Sequence, residues 1–88
     1  MASTTTRERI ETWREAGPIR KWRTKNELSM QDAALLFGAS LTGVQKWESG
    51  VNAPAEHRLP VLATVMKYRS VEHLQRTWQQ WFDARPTS

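Results

Sequence analysis

Cysteine is absent from the 88 residues, which excludes a disulfide framework and a thiolate metal site and removes any argument for an oxidising compartment. Long apolar runs are lacking as well. No stretch approaches the ~20 apolar residues of a membrane span, and none follows Met1-Ala2-Ser3-Thr4-Thr5-Thr6 as a secretory leader requires. The expectation is a soluble protein of the reducing cytoplasm. Nowhere do β-branched residues alternate with polar ones over strand length, and glycine and proline, four of each, fall mainly at segment edges. An all-α fold is therefore expected. There is no nucleophile beside a general base, no Gly-rich phosphate loop and no carboxylate dyad, so neither enzymatic chemistry nor a cofactor is expected. His57 and His73 are far apart in sequence with no carboxylate pair at ligand spacing, and surface or cap histidines are a simpler reading than a metal site.

What the chain does carry is a moderate excess of positive charge, 13 Lys and Arg against nine Asp and Glu for a net +4, with a pI near 10.1. This balance favours a polyanionic partner, but many solvated helical surfaces carry as much, so charge alone does not decide. The length suits one compact helical domain without a second for ligand sensing or catalysis. Five tryptophans are many for such a chain, and most of them fall on helical apolar stripes.

The pattern predicts a compact five-helix domain with an extra N-terminal helix before it. Thr5 with Glu8 three residues on reads as a capping box for that first helix, whose short stripe of Ile10 and Trp13 stops at Gly17-Pro18. It has little to bury alone, and packing on the domain, pairing with a second chain and fraying are all open to it. Pro18 suits the first turn of the next helix, in which Ile19 and Trp22 turn to one side and Arg20, Lys21, Arg23 and Lys25 fill the others. Ser29, with Asp32 at the third helical position, caps Met30 to Phe37, and Gly38 closes that helix over a buried face of Ala33, Ala34 and Phe37, with Leu36 partly covered. Ser40 starts the following helix, where Val44 and Trp47 are the core pair, and Gly50 ends it. Pro60 lies in the first turn of an apolar helix with Val61, Leu62, Val65 and Met66. Ser70 caps the last helix, whose Val71, Leu74, Trp78, Trp81 and Phe82 recur at offsets 0, 3, 7, 10 and 11 on one stripe. The expected organisation is an N-terminal arm or short helix at 1–17, a helix-turn-helix domain at 18–84 and a polar tail at 85–88, with the motif itself at 29–49 and the C-terminal helix at 71–84.

Two capped helices joined by Gly38-Ala39-Ser40 have the outline of a helix-turn-helix, in which the second helix enters the major groove of DNA. Small Ala33 and Ala34 let the helices cross closely, and Val44 and Trp47 anchor the second helix by its inner face. Leu41, Thr42, Gln45, Lys46 and Ser49 then project outward, and Gly43 has no side chain to hold a base edge at a distance. Trp47, three residues from Val44, reads as a core anchor rather than a base-stacking residue. Glu48 reads as an intramolecular partner for a basic side chain or the backbone, since a carboxylate near phosphates is repelled. The basic run Arg20, Lys21, Arg23 and Lys25 is equally compatible with a phosphate stripe and a solvated face.

In these features the sequence resembles the lambda-repressor-like helix-turn-helix proteins, the Cro and phage-repressor type also called the xenobiotic-response-element family. The matching residues are Leu28-Ser29, Ala34, Phe37-Gly38, Ser40, Val44, Lys46-Trp47-Glu48 and Gly50, with Ile19-Arg20 and Trp22-Arg23 upstream and Asn52-Ala53-Pro54 and Leu59 to Met66 downstream. The resemblance implies base reading by Leu41, Thr42, Gly43, Gln45 and Lys46, and phosphate binding by Ser29, Gln31, Ser49 and Asn52. Backbone N–H groups at the helix start of Ser29 and Met30 add to that anion site. Two positions depart from the family's pattern. Met30 stands where a Gln bridging phosphate and a recognition residue is common, with Gln31 beside it as a substitute, and Glu27 stands where Gly is usual, which leaves room for a different turn between the first two helices.

The resulting expectation is a cytoplasmic, nucleoid-associated regulator of a prokaryotic or phage-infected cell. It is a Cro-like or phage/mobile-element repressor that binds a palindromic double-stranded DNA operator as a homodimer. The competing reading is an antitoxin-type protein-interaction module that neutralises a partner protein and autoregulates its operon. The aromatic stripe of Trp78, Trp81 and Phe82 either closes the core over the first and fourth helices of the domain or gives part of itself to a dimer interface. The N-terminal helix is the other candidate for that interface.

Overall fold

A computed structural model describes residues 5–86 of the chain. The start of the Ser/Thr run and the last two residues of the polar tail lie outside the described residues. Six α-helices follow in order, α1 (Thr6–Glu15), α2 (Pro18–Lys25), α3 (Met30–Phe37), α4 (Leu41–Ser49), α5 (Leu59–Val65) and α6 (Val71–Asp83), with a 3-10 turn at Glu56–Arg58 leading into α5. The described residues contain no strand. The extra N-terminal helix is thus present, and the 3-10 turn is the one element that the spacing of apolar residues did not signal.

Serine and threonine set the helix starts by accepting backbone N–H groups that have no partner within the helix. Thr5 Oγ1 accepts from Glu8 N at 3.1 Å, Ser40 Oγ from Gly43 N at 3.0 Å and Ser70 Oγ from His73 N at 3.1 Å. At α3 the box is reciprocal, because Ser29 N also donates to Asp32 Oδ2 at 3.1 Å. The helix ends need a left-handed residue, which Gly38 supplies at φ 66° and Gly50 at φ 77°. Glu27 and Lys67 take the same conformation without being glycine, at φ 55° and 61°. The altered turn that Glu27 left room for therefore does not arise. The chain keeps the glycine-like geometry, with Leu28 N donating to Arg23 O at 2.9 Å, and accepts the steric cost of a Cβ there.

One core joins all six helices, with Ile19, Val44, Leu62 and Leu74 fully buried at its centre. Of the alternatives open to the N-terminal helix, the structure has it packed on the domain, with Trp13 reaching into that core. Its ring stacks on Trp81 of α6 with centroids 4.2 Å apart and planes 6° from parallel. Each indole N–H donates to the other residue's carbonyl, Trp13 Nε1 to Trp81 O at 2.6 Å and Trp81 Nε1 to Trp13 O at 2.7 Å. Both polar handles of the pair are thereby satisfied inside the protein. Glycine makes room for each ring. A Cβ on Gly50 would overlap the ring of Trp13, and one on Gly17 would come within 2.9 Å of Trp81 Cζ2. Arg85 lies over the Trp13 ring at 5.8 Å, so the start of the polar tail is drawn onto the same cluster.

Trp78 and Trp81 are buried within the chain, and Trp78 meets Trp81 edge-on at 5.4 Å. They close the core against α1, α2 and α5, so most of each ring is spent on the fold of the single chain. Phe82 is half-buried beneath Arg85. On α5, Leu62 faces inward, as does Met66 at its C-terminal cap, whereas Val61 turns to solvent.

Replacing Trp13 by Ala removes a buried aromatic and takes the indole donor from the Trp81 carbonyl, while the backbone carbonyl that accepts from the Trp81 N–H remains, and is expected to cost about 3–5 kcal/mol in urea unfolding. An unchanged midpoint would mean that α1 contributes nothing to the core. Glu27→Gly relieves a left-handed Cβ and is expected to raise stability by roughly 1 kcal/mol in the same assay.

Candidate nucleic-acid interface

Helices α3 and α4 pack closely because Ala33 and Ala34, both buried, put no bulk between them. Val44 and Trp47 hold α4 down from its inner side, with the Trp47 ring 6.3 Å from Phe37 and Phe37 in turn 5.2 Å from Trp22 of α2. Trp47 is thus a core residue. At about 100° per residue, Leu41, Thr42, Gln45, Lys46 and Ser49 fall within an outer arc of about 140°. Leu41, Thr42, Gln45 and Lys46 are exposed on it, while Gly43 and Ser49 are half-buried. The structure therefore brings together on one surface the side chains that the sequence placed there.

The four residues expected at phosphates fall into two groups. Gln31 and Asn52 are exposed, Gln31 in the first turn of α3 and Asn52 in the loop after α4. The two serines have local duties. Ser29 Oγ accepts the capping bond and keeps its own O–H proton to donate, whereas Ser49 Oγ donates to Lys46 O at 3.2 Å. The start of α3 is also less open to an anion than its sequence suggested. The N–H of Ser29 is already given to Asp32, whose carboxylate occupies the position that a phosphate would seek.

Two supports behind this surface involve residues that the sequence did not pair. Arg23, whose basic run on α2 was open to reading as a phosphate stripe or a solvated face, instead turns to α4 and forms a fork with Glu48. Nε donates to Oε2 at 2.8 Å and Nη2 to Oε1 at 3.0 Å, while Nη1 donates to Leu28 O at 3.0 Å. Glu48 is only 5% exposed. The intramolecular partner expected for Glu48 is therefore Arg23, and a carboxylate on the inner side of an otherwise apolar helix face was the signal for it. The second support is Arg58, whose Nη1 donates to Gly38 O at 3.2 Å and ties the 3-10 turn to the corner between α3 and α4. No spacing in the sequence announces that contact. Val51, 65% exposed just beyond Gly50, adds an apolar side chain beside Asn52.

Among the described residues no group of His, Cys, Asp and Glu is arranged to hold a metal ion, and no helix is long and apolar enough to cross a membrane. The sequence profile of the family described as helix-turn-helix matches residues 19–73, more than half of the chain. No curated protein and no solved structure matches it significantly. The matched segment begins in α2 and ends early in α6, so Trp13 and Trp81 both lie outside it.

Glu48→Ala strands the Arg23 guanidinium in a half-buried site and is expected to lower stability by about 3 kcal/mol in urea unfolding, whereas Arg23→Met with Glu48→Leu restores most of the loss. If the single and double variants unfold alike, the pair is not what holds α4 against α2.

Proposed function

This chain belongs to the helix-turn-helix family, of the lambda-repressor-like Cro type, and is a DNA-binding transcriptional regulator; we propose on that premise that it represses transcription by occupying a palindromic operator as a homodimer. The observation that carries the reading is the division of α4, with Val44, Trp47 and Glu48 buried and Leu41, Thr42, Gln45 and Lys46 exposed together. An exposed arc of this kind fits the major groove, and its residue types suit base edges. Lys46 donates to guanine O6 and N7, Gln45 pairs with adenine, Thr42 serves either and Leu41 covers a thymine methyl. Gly43 lets the backbone approach closely. Ser29, Gln31 and Asn52 flank the arc and Ser49 lies within it, and these four fix the register through phosphates, Ser49 by exchanging its bond to Lys46 O for one to a phosphate. Met30 is half-buried against the core and does not take the role of a bridging Gln, so Gln31 is the clamp residue on this reading.

One such module reads only a few base pairs. Two related by a two-fold axis place their recognition helices about 34 Å apart on successive major grooves, which makes dimerisation the simplest route to operator specificity. Residues 18–84 form the binding domain and α1 is packed onto it. The site of action is the nucleoid, where the operator is. The family is one of regulators and not of enzymes.

Selection of sites from a random duplex library is expected to return two half-sites with that spacing, and a single unpaired half-site would remove the dimer. Binding to the selected site should weaken with salt by about −0.9 in the log–log slope per phosphate neutralised, and a slope near zero would remove the DNA reading. Alanine at Lys46 or Thr42 is expected to reduce discrimination between selected and altered operators by ~1–3 kcal/mol with folding intact. An equal loss on every sequence would assign those residues to phosphate.

A further inference from the structure

A groove of about 740 Å³ lies between α2 and the neighbouring α5–α6 corner. Half-buried Trp22 and Tyr68, with Met66 beneath them, contribute an apolar floor, and Arg20, Lys21 and Lys25 stand along the α2 side. None of these three cations is in an ion pair among the described residues. Glu15 is the single carboxylate lining the groove. Position on the helix separates this surface from the DNA-reading one. Ile19 and Arg23 point to the core and to α4, and at about 100° per residue Lys21, Thr24 and Lys25 occupy the opposite half of α2.

Half-buried aromatics bordered by unneutralised cations have the composition of an interface core with a polar rim. A neutral apolar partner would leave three charges desolvated at its edge, whereas carboxylates would pair with them. A nucleic-acid strand is served less well, because the cations stand on one wall only, while grooves that track a strand follow its backbone with positive charge; Glu15 keeps either kind of anion away from its own edge. Burial raises the Tyr68 phenol above its ordinary value, against an opposing influence of the Thr77 side chain, so the phenol keeps its proton and brings no negative charge to the groove. We propose that this groove docks an acidic peptide segment of a partner protein, which sets an apolar side chain on Trp22 and Tyr68 and its carboxylates against Arg20, Lys21 and Lys25. The docked segment lies on the far side of α2 from α4, so the protein holds this partner and DNA together.

The test titrates the isotopically labelled full chain, followed by NMR, with a synthetic acetylated peptide of Asp and Glu interspersed with Leu and Phe. The comparison probes are the same peptide with Lys in place of its acids, and oligothymidylate. Expected are saturable binding of the acidic peptide, shifts confined to the outer side of α2, Tyr68 and Thr77, no binding of the Lys peptide, and affinity lowered about fivefold or more by Lys21→Gln with Lys25→Gln. Prior saturation with operator DNA should leave the peptide affinity unchanged. The proposal is overturned by lack of saturation at about millimolar peptide, by shifts centred on α4, by indifference to the double variant, or by competition with operator. Oligothymidylate binding the groove as tightly as the peptide would overturn it too, in favour of nucleic acid.

Discussion

The fork between Arg23 and Glu48 is the interaction on which the arrangement of the binding surface depends. A carboxylate as buried as Glu48 costs several kcal/mol if its charge is left unmatched, so the fold is held to geometries in which a cation reaches it. Arg23 satisfies both carboxylate oxygens at once and gives its remaining nitrogen to the carbonyl of Leu28. One planar group thereby fixes three elements, α2, the loop into α3, and α4. Apolar packing holds α4 down through Val44 and Trp47. The fork has directional requirements that packing lacks, and it sits one residue after Trp47, where roll of the helix would be felt by every residue of its outer arc.

The two tryptophans of α1 and α6 impose a second constraint from outside the family segment. Their mutual hydrogen bonds close a ring through both backbones, so the chain's first and last helices are fastened to each other and not merely to the core. Gly50 belongs to this fastening as well as to the end of α4, because the Trp13 ring fills the space where its side chain would be. The loop carrying Val51 and Asn52 therefore leaves α4 from a fixed point. In this protein the family framework is stabilised by an added helix that reaches the back of the recognition element.

Much of this was legible in the sequence, and the reason is locality. Ser29, Ser40 and Ser70 mark helix starts because each bonds a backbone group three residues away, and Gly38 and Gly50 mark ends because the requirement for positive φ is a property of one residue. The inner face of α4 followed from a three-residue spacing, and the burial of Trp47 followed from it in turn. What the sequence did not disclose is what depends on distant partners. Trp13 and Trp81 are 68 residues apart and Arg58 is 20 from Gly38, and no periodicity connects such pairs. Arg23 was masked for a different reason. It sits within a run of like charges, and only the third dimension separates the one that turns inward from those that remain in solvent.

That separation also explains how so short a helix as α2 serves two surfaces. A helix offers distinct faces to residues two apart, so Arg23 is spent on α4 while Lys21 and Lys25 look away from it. The consequence is electrostatic. Of the basic side chains of α2, Arg23 alone is in an ion pair among the described residues. Arg23 is matched internally by Glu48, whereas Arg20, Lys21 and Lys25, in no ion pair among the described residues, border an apolar floor on the outer side of α2. The ion pair that orients α4 therefore takes Arg23 out of the basic run, and the opposite side of α2 is left to the cations that border the groove.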